Sequence, residues 1–186
     1  MTESEAIARS RNGDQHAFAW IVKEYKHMVY TTAMRVVRNR EEAEEVTQDA
    51  FVKTYQNLSG YQGGSKFTTW LFSITYRTAI SKLRARRAPT SDLDDVSASS
   101  AVEAESNAGE LKDRRAVLEY ALGRLSPEDA AVVSLFYFHE LNVEEIVTAT
   151  GLSASNVKVK LHRSRKKLFE LLNLHLKEET WTLQED

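Results

Sequence analysis

Several kinds of residue are scarce or absent in this chain of 186 residues. It contains no cysteine, which excludes disulfide bonds and thiolate metal sites. It has only two prolines and seven glycines, and their scarcity favours long helices. No apolar run approaches the roughly 20 residues that span a bilayer. The segment Met1–Gly13 is polar, unlike a secretory signal peptide. We therefore expect a cytoplasmic protein.

The net charge of −2 conceals an uneven distribution of charged residues along the chain. Residues 1–87 carry 14 basic and 9 acidic side chains, whereas residues 88–112 carry one basic and six acidic side chains. Residues 113–175 hold nine basic and eight acidic groups, and residues 176–186 hold one and four. Basic parts that alternate with acidic segments are typical of a protein that binds a polyanion.

Apolar side chains recur at helical spacing through the first half of the chain, and no alternating run predicts a strand. The pattern predicts a helix over Phe18–Val36. A second helix is expected to start at Asn39, with Glu42 as its capping partner. A third is expected from about Thr68 to Arg86. The segment Ser59–Lys66 holds three of the seven glycines and is predicted to be a loop.

The helical pattern disappears between about Ala88 and Ala108. This stretch is rich in serine, alanine and acids, and it has too few bulky apolar residues to form a core. We predict a flexible acidic linker over residues 88–112, with a cluster of acids that consists of Asp92, Asp94 and Asp95.

Signals for helix starts and ends return in the second half of the chain. A helix is predicted from about Glu110 to Gly123, and Ser126 is expected to cap the next one. Asn142 repeats the start signal, and Gly151 fits the left-handed residue that ends a short helix. The last helix is predicted from Ser153 to about Leu174.

The predicted fold class is therefore all-α, with two small helical domains joined by the acidic linker. Residues 1–87 form the first domain, with three or four helices. Residues 113–175 form the second, and an acidic tail follows at residues 176–186.

The last two predicted helices have the arrangement of a helix-turn-helix motif, in which a short helix, a glycine turn and a basic helix follow one another. In the final helix, Val157, Leu161, Ser164 and Leu168 fall on one face and are expected to point inward. The opposite side is basic, and long basic side chains in a major groove reach guanine edges and phosphates. Basic residues near a helix C-terminus also simply offset the helix dipole. The capped entry, the turn and the apolar face together favour DNA binding.

Three segments in this order resemble the extracytoplasmic-function (ECF) sigma factors, group IV of the sigma-70 family. The segment Phe67–Arg87 resembles their promoter-melting segment, and Glu41–Gly63 resembles the segment before it. The segment Leu125–Leu168 resembles the domain that reads the −35 element. In all, the resemblance spans residues 13–87 and 113–173, about three quarters of the chain.

This resemblance implies a dissociable subunit of bacterial RNA polymerase that directs the core enzyme to promoter DNA. It implies two reading domains, one for the −10 element and one for the −35 element. We expect the free chain to be a monomer. Many members of this family are held inactive by a membrane-bound anti-sigma factor that wedges between the two domains, so such a partner is expected here.

The resemblance also assigns residues to three surfaces. Docking on the clamp coiled coil of the largest polymerase subunit is implied for Glu44, Glu45, Gln48 and Asp49. Recognition and melting of the −10 element is implied for Tyr61, Lys66, Phe67, Arg77, Lys82, Arg84, Arg86 and Arg87. Base reading at −35 is implied for Lys158, Val159, His162 and Arg163, and phosphate contacts for Lys160, Arg165, Lys166 and Lys167.

The chain departs from the family pattern at a few positions. Arg77 stands where the family usually has asparagine, and Ser81 where it has an aspartate-like residue, so the preferred −10 base stays open. Val147 replaces a usual alanine, and a bulkier side chain there is expected to shift helix packing. Trp70 is expected in the core rather than on DNA.

Three other functions are compatible with parts of the sequence. An enzyme is not favoured, because the five histidines lack metal-ligand spacing and the segment Gly60–Lys66 lacks the strand and spacing of a P-loop. We therefore expect no cofactor. A stand-alone helix-turn-helix regulator would bind duplex DNA tightly by itself, usually as a dimer. An adaptor that binds polymerase without promoter specificity would not use the last helix on DNA.

Overall fold

The structure is a computed structural model, and it describes residues 1–87 and 109–182, with side chains at 1–86 and 114–174. Within these ranges the secondary structure is helical, with no strand. The helices are α1 (Glu3–Arg11), α2 (Gln15–Val37), α3 (Arg40–Asn57), α4 (Phe67–Arg87), α5 (Gly109–Gly123), α6 (Pro127–Tyr137), α7 (Val143–Thr150) and α8 (Ala154–Thr182). Most of the predicted linker, including its aspartate cluster, lies outside the described residues.

The predicted helix starts are confirmed by side-chain caps. The Asn39 side chain accepts a hydrogen bond from the Glu42 amide at 2.9 Å and begins α3. Ser126 caps α6 in the same way. Asn142 and Glu145 form a reciprocal capping box at α7, and Gly151 ends that helix with a φ of 76°. These local signals act within one turn, so the sequence alone is enough to place them.

Two boundaries differ from the prediction. The helix α1 was not predicted, because its sequence is mostly polar and it buries only Ala6 and Ser10. Thr2 and Glu5 nevertheless form a capping box there, and that spacing is visible in the sequence. At the other end, α8 continues past the predicted Leu174 to Thr182, so the first part of the predicted tail is helical.

The first four helices pack as a bundle in which α2, α3 and α4 contact one another and α1 covers one end. One apolar cluster joins Ile21, Phe51, Phe67 and Leu71. A second lies at the other end of the bundle, where buried valines of α2 and α3 meet Tyr76, Ile80 and Leu83 of α4. Among the described helices, none combines the length and the apolar composition needed to cross a membrane.

The two helical groups share buried residues and form one packed body. The core of the second group is built from α5 to α8, and Phe72 of α4 is buried within it with 1% of its surface exposed. In return, Ala131 of α6 joins the cluster that contains Tyr76 and Ile80. The helices in contact are α2 with α6 and α4 with α7. Helical periodicity does not reveal these contacts, because they depend on which apolar faces meet across a long connection.

Candidate nucleic-acid interface

The helix α8 presents one apolar and one basic face, as the sequence predicts. Val157, Leu161 and Ser164 are buried against the second core. The opposite face exposes the residues expected to read bases, which are Lys158, Val159, His162 and Arg163. Val159 is 44% exposed, unusual for a valine, and it supplies the only apolar side chain in this set. Such a face has the size and chemistry to enter a major groove.

The basic side chains expected at phosphates on α8 have different surroundings. Arg165, Lys166 and Lys167 are exposed just before the middle of the helix. The Lys167 ammonium donates a hydrogen bond to the Arg124 carbonyl at 2.6 Å, which holds it beside the end of α5. All three can reach a phosphate from this side, because long side chains leave their surface contacts at little cost.

Lys160 has a structural role that the sequence did not reveal. Its ammonium lies 3.0 Å from the carboxylates of both Glu128 and Asp129, and only 17% of its side chain is exposed. Burial opposes the charge of Lys160, but its hydrogen bonds to Asp129 and Glu128 raise its pKa overall. The lysine therefore ties α8 to the first turn of α6 and is not available to DNA in this arrangement. Glu128 and Asp129 were recognisable in the sequence as acids in the first turn of α6, but nothing in the sequence indicated that Lys160 lies beside them.

The loop before α4 is held by a cluster of aromatic rings. Phe67 lies at its centre, with ring centroids 5.6 Å from Tyr25, 5.5 Å from Tyr61 and 5.7 Å from Trp70. Phe67 is 1% exposed, so its ring has no face open to a base. The Tyr61 hydroxyl donates to the Ser65 carbonyl at 2.7 Å, which closes the loop. Burial raises the pKa of Tyr61. Trp70 is partly buried in this cluster, in keeping with its expected packing role.

Three of the six cations expected at the −10 element are paired with acids that are distant in the sequence. Lys82 lies 2.6 Å from Glu45 of α3, and their hydrogen bond raises the pKa of Lys82. Arg86 likewise lies 2.9 Å from Glu42, and Lys66 lies 2.9 Å from Glu145 of α7. Arg84 is exposed, and the side chain of Arg87 lies outside the described residues.

Arg77 lies at a groove of about 340 Å³ between α3 and α4. Its guanidinium is exposed, and Trp70 and Ser81 line the same groove. Lys53 also lines it and donates a hydrogen bond to the Thr78 hydroxyl at 3.1 Å. Lys53 was not predicted as a member of this site, because it comes from another helix. The groove brings two cations and an indole together, which suits a nucleotide.

The acidic face of α3 is exposed as expected, but it is partly neutralised. Glu44 pairs with Arg40 at 3.1 Å, and Glu45 pairs with Lys82. Gln48 and Asp49 are exposed farther along the same helix. The residues expected to dock on polymerase and those expected at the −10 element therefore lie side by side, and the Glu45–Lys82 ion pair joins the two sets.

Two family models match the chain. Sigma-70 region 2 matches residues 21–88, and Sigma-70, region 4 matches residues 115–168. The RNA polymerase sigma-H factor of Pseudomonas aeruginosa is 28% identical over 186 residues, covering 95% of this chain and 96% of that protein. The ECF RNA polymerase sigma-E factor of Escherichia coli K12 is 30% identical over 176 residues, covering 89% of this chain and 92% of that protein.

Solved structures agree with the fold. CnrH, in complex with the cytosolic domain of CnrY, has a TM-score of 0.65 at 24% identity, covering 91% of this chain and 96% of that chain. The sigma factor RpoE of Bartonella quintana, in complex with the anti-sigma factor NepR, has a TM-score of 0.63 at 20% identity, covering 84% of this chain and 96% of that chain. The two matched regions of this chain contain the surfaces described above. The chain therefore belongs to the ECF RNA polymerase sigma factors, which are DNA-binding transcription initiation factors.

Proposed function

We propose that this chain binds bacterial core RNA polymerase in the cytoplasm and directs it to promoters whose −35 element is read by α8. The observation that carries this proposal is the exposed face of α8, on which Lys158, Val159, His162 and Arg163 lie opposite the buried side chains of Val157 and Leu161. Arg163 is suited to a bidentate contact with guanine, and Val159 to a thymine methyl group. Lys166 and its exposed neighbours hold the phosphates and fix the register.

We assign the −10 element to the side of the first bundle formed by α4 and the loop before it. Arg77 and Arg84 are exposed there and carry the first contacts. Lys66, Lys82 and Arg86 contact the DNA as well, once their ion pairs with Glu145, Glu45 and Glu42 are broken. Phe67 is left out of direct base contact because its ring is enclosed, and it supports the loop instead.

We assign core docking to the exposed face of α3. Glu44, Glu45, Gln48 and Asp49 all lie on it. A basic partner helix that pairs with Glu45 removes that carboxylate from Lys82. Docking on polymerase thereby makes the Lys82 ammonium available to the −10 element.

Control by an anti-sigma factor is part of the proposal. It is supported by the likeness of fold to RpoE of Bartonella quintana, which is in complex with the anti-sigma factor NepR. The identity of such a partner for this chain is left to experiment, and co-purification from the native host is the direct test.

The experiment that tests the function mixes the purified chain with bacterial core polymerase and a pool of promoter fragments from its own genome. Sequencing of the run-off transcripts should reveal a small set of start sites with shared motifs near −10 and −35. No polymerase-dependent initiation, together with tight duplex binding by the chain alone, would identify a stand-alone regulator instead.

A further inference from the structure

The helix α1 lies against both ends of the loop Ser59–Lys66, which we call the −10 loop. It contacts the helical turn Leu58–Gly60, where the loop begins. Ala6 of α1 is fully buried in the same apolar cluster as Leu58 and Phe67, the first residue of α4 after the loop. The helix therefore meets the chain on either side of the segment that the proposed function places at the −10 element.

Glu3 connects α1 to the aromatic rings that hold this loop. The Tyr25 hydroxyl of α2 donates a hydrogen bond to the Glu3 carboxylate. The Tyr25 ring packs on Phe67, which also contacts the rings of Tyr61 and Trp70. A continuous chain of contacts therefore runs from a carboxylate on α1 to a tyrosine inside the −10 loop.

The Glu3 carboxylate acts on both tyrosines. Burial raises the pKa of Tyr25, and the hydrogen bond to Glu3 and the charge of that carboxylate raise it further. Burial also raises the pKa of Tyr61, and the charge of Glu3 adds to this effect. The carboxylate is thus near both hydroxyls, although the three residues come from three different parts of the sequence.

The stability of α1 by itself does not account for the placement of Glu3. A glutamate in the first turn of a helix is favoured by the helix dipole. At this helix, however, Thr2 and Glu5 already form a capping box, in which the Glu5 carboxylate accepts a hydrogen bond from the Thr2 amide at 2.8 Å. The Glu3 side chain is partly buried and meets Tyr25 instead.

The −10 loop needs support from outside, because its own sequence is flexible. Three of its eight residues are glycines, and Gly63 takes a φ of 78°. Glycine loses more conformational freedom on ordering than other residues, so such a loop binds a nucleotide well only when it is pre-organised. Within the loop, the Tyr61 hydroxyl donates to the Ser65 carbonyl at 2.7 Å. This hydrogen bond depends on where the Tyr61 ring is held.

We infer that Glu3 is a positioning residue for recognition of the −10 element: it holds Tyr25 against Phe67, and this contact fixes Tyr61 and the −10 loop in the shape that meets the DNA. The inference rests on the proposed function, which places this loop at the −10 element. It goes beyond that function because Glu3 and Tyr25 act through the loop and not by contact with DNA.

The test compares variants of the full chain. Glu3→Ala removes the carboxylate, and alanine keeps α1 helical. Tyr25→Phe removes the hydroxyl and keeps the ring. Glu3→Gln keeps an oxygen that can accept the hydrogen bond from Tyr25. The matched control, Glu24→Ala, removes an equal charge from the exposed residue beside Tyr25.

Each variant is combined with bacterial core RNA polymerase, and initiation is measured on a promoter that run-off transcription has identified. The promoter carries all four bases in turn at each −10 position and at each −35 position. The quantity compared is the ratio of initiation rates between the best and the worst base at a position. A variant that only folds less well lowers both rates equally, so this ratio separates positioning from stability.

We expect the largest −10 ratio to fall about fivefold in Glu3→Ala and in Tyr25→Phe, because each variant loses the same charge-assisted hydrogen bond. The double variant should fall no further than either single variant, since the two side chains act as one unit. Glu3→Gln should lose less than about twofold. The −35 ratios should not change in any variant, and Glu24→Ala should match the unmodified chain.

Hydrogen exchange of the free chain, followed by mass spectrometry, measures the loop itself. The amides of residues 59–66 should exchange about threefold faster in Glu3→Ala than in Glu24→Ala, whereas those of α8 should not change. Unaltered exchange in the loop would overturn the inference. An unaltered −10 ratio in Glu3→Ala, an equal fall in the −35 ratios, or additive losses in the double variant would overturn it as well.

The same experiments separate this inference from the proposed function. Promoter-specific initiation by the unmodified chain, with a −10 preference, supports the proposed function whichever way Glu3 behaves. A holoenzyme without any −10 preference would overturn the proposed function, and the inference with it.

Discussion

The two DNA-facing regions of the molecule hold their positive charges in different ways. On α8, the exposed cations Lys158, Arg163 and Lys166 make no ion pair with any described side chain. On the side of α4, Lys82 and Arg86 each pair with an acid of α3. The basic face proposed to read the −35 element therefore has cations without acidic partners, whereas two of the cations proposed for the −10 element must leave their acidic partners before they meet phosphates.

This difference follows from what surrounds each helix. One face of α8 packs on the second core and the other lies open, so no described acid pairs with Lys158, Arg163 or Lys166, whereas Lys160 pairs with Glu128 and Asp129 of α6. The helix α4 lies beside α3, whose first turns carry acids that also stabilise the start of that helix. Such exposed pairs contribute ~0–1 kcal/mol each, so a polyanion or a basic partner can displace them.

The largest effect on transcription is expected from a substitution on the exposed face of α8. Arg163→Ala should lower transcription from the cognate promoters by roughly 5- to 150-fold, which corresponds to ~1–3 kcal/mol for one bidentate base contact. It should also relax the preference at one −35 base pair. Run-off transcription on promoters with each base at each −35 position measures both. Arg11→Ala, an exposed cation on α1, is the control, and unchanged base preference in Arg163→Ala would show that α8 does not read this position.

A smaller effect, about tenfold, is expected when the acidic face of α3 is reversed. Glu44→Lys combined with Glu45→Lys should weaken binding to core polymerase, because like charges then meet across the interface. Fluorescence anisotropy of the labelled chain with core enzyme measures the affinity. Glu24→Lys on the exposed side of α2 is the matched control. Unaltered affinity in the double variant would place the docking surface elsewhere.

The contrast also separates what the sequence could predict from what it could not. Capping residues such as Asn39 and the face of α8 that carries Val157 follow from local spacing, and both were predicted. The pairing of Lys160 depends on Asp129, which is 31 residues away in the sequence. The burial of Phe67 depends on several aromatic rings that meet around it, including that of the distant Tyr25. Spacing along one helix carries no information on these contacts. The docking of Phe72 into the second core escaped prediction for the same reason.

Removal of the Glu45–Lys82 ion pair is expected to change the affinity of the free chain for single-stranded DNA by a few fold. Glu45→Gln frees Lys82, so the free chain should bind a single-stranded oligonucleotide about two- to threefold more tightly. The free energy of unfolding should change by less than ~1 kcal/mol, because both side chains are partly exposed. Fluorescence anisotropy and urea denaturation measure the two quantities. The same gain in a Lys82→Gln background would mean that this pair does not limit DNA binding.

The smallest effect concerns the apolar contact between the two groups. Burial lowers the pKa of His139, and the nearby charges of Arg35 and His27 on α2 act in the same direction. Its neighbour on α4 is the uncharged ring of Phe72. The unfolded chain therefore protonates the imidazole of His139 more readily than the folded chain does. The contribution of neutral His139 to the free energy of unfolding is fully present above about pH 6.5, the ordinary pKa of histidine. It is lost as the pH falls from there through the lowered pKa. Urea denaturation between pH 7.5 and 5 should show a shallower loss of stability in His139→Gln than in the unmodified chain. Identical pH profiles would mean that the imidazole of His139 ionises as readily in the folded chain as in the unfolded chain.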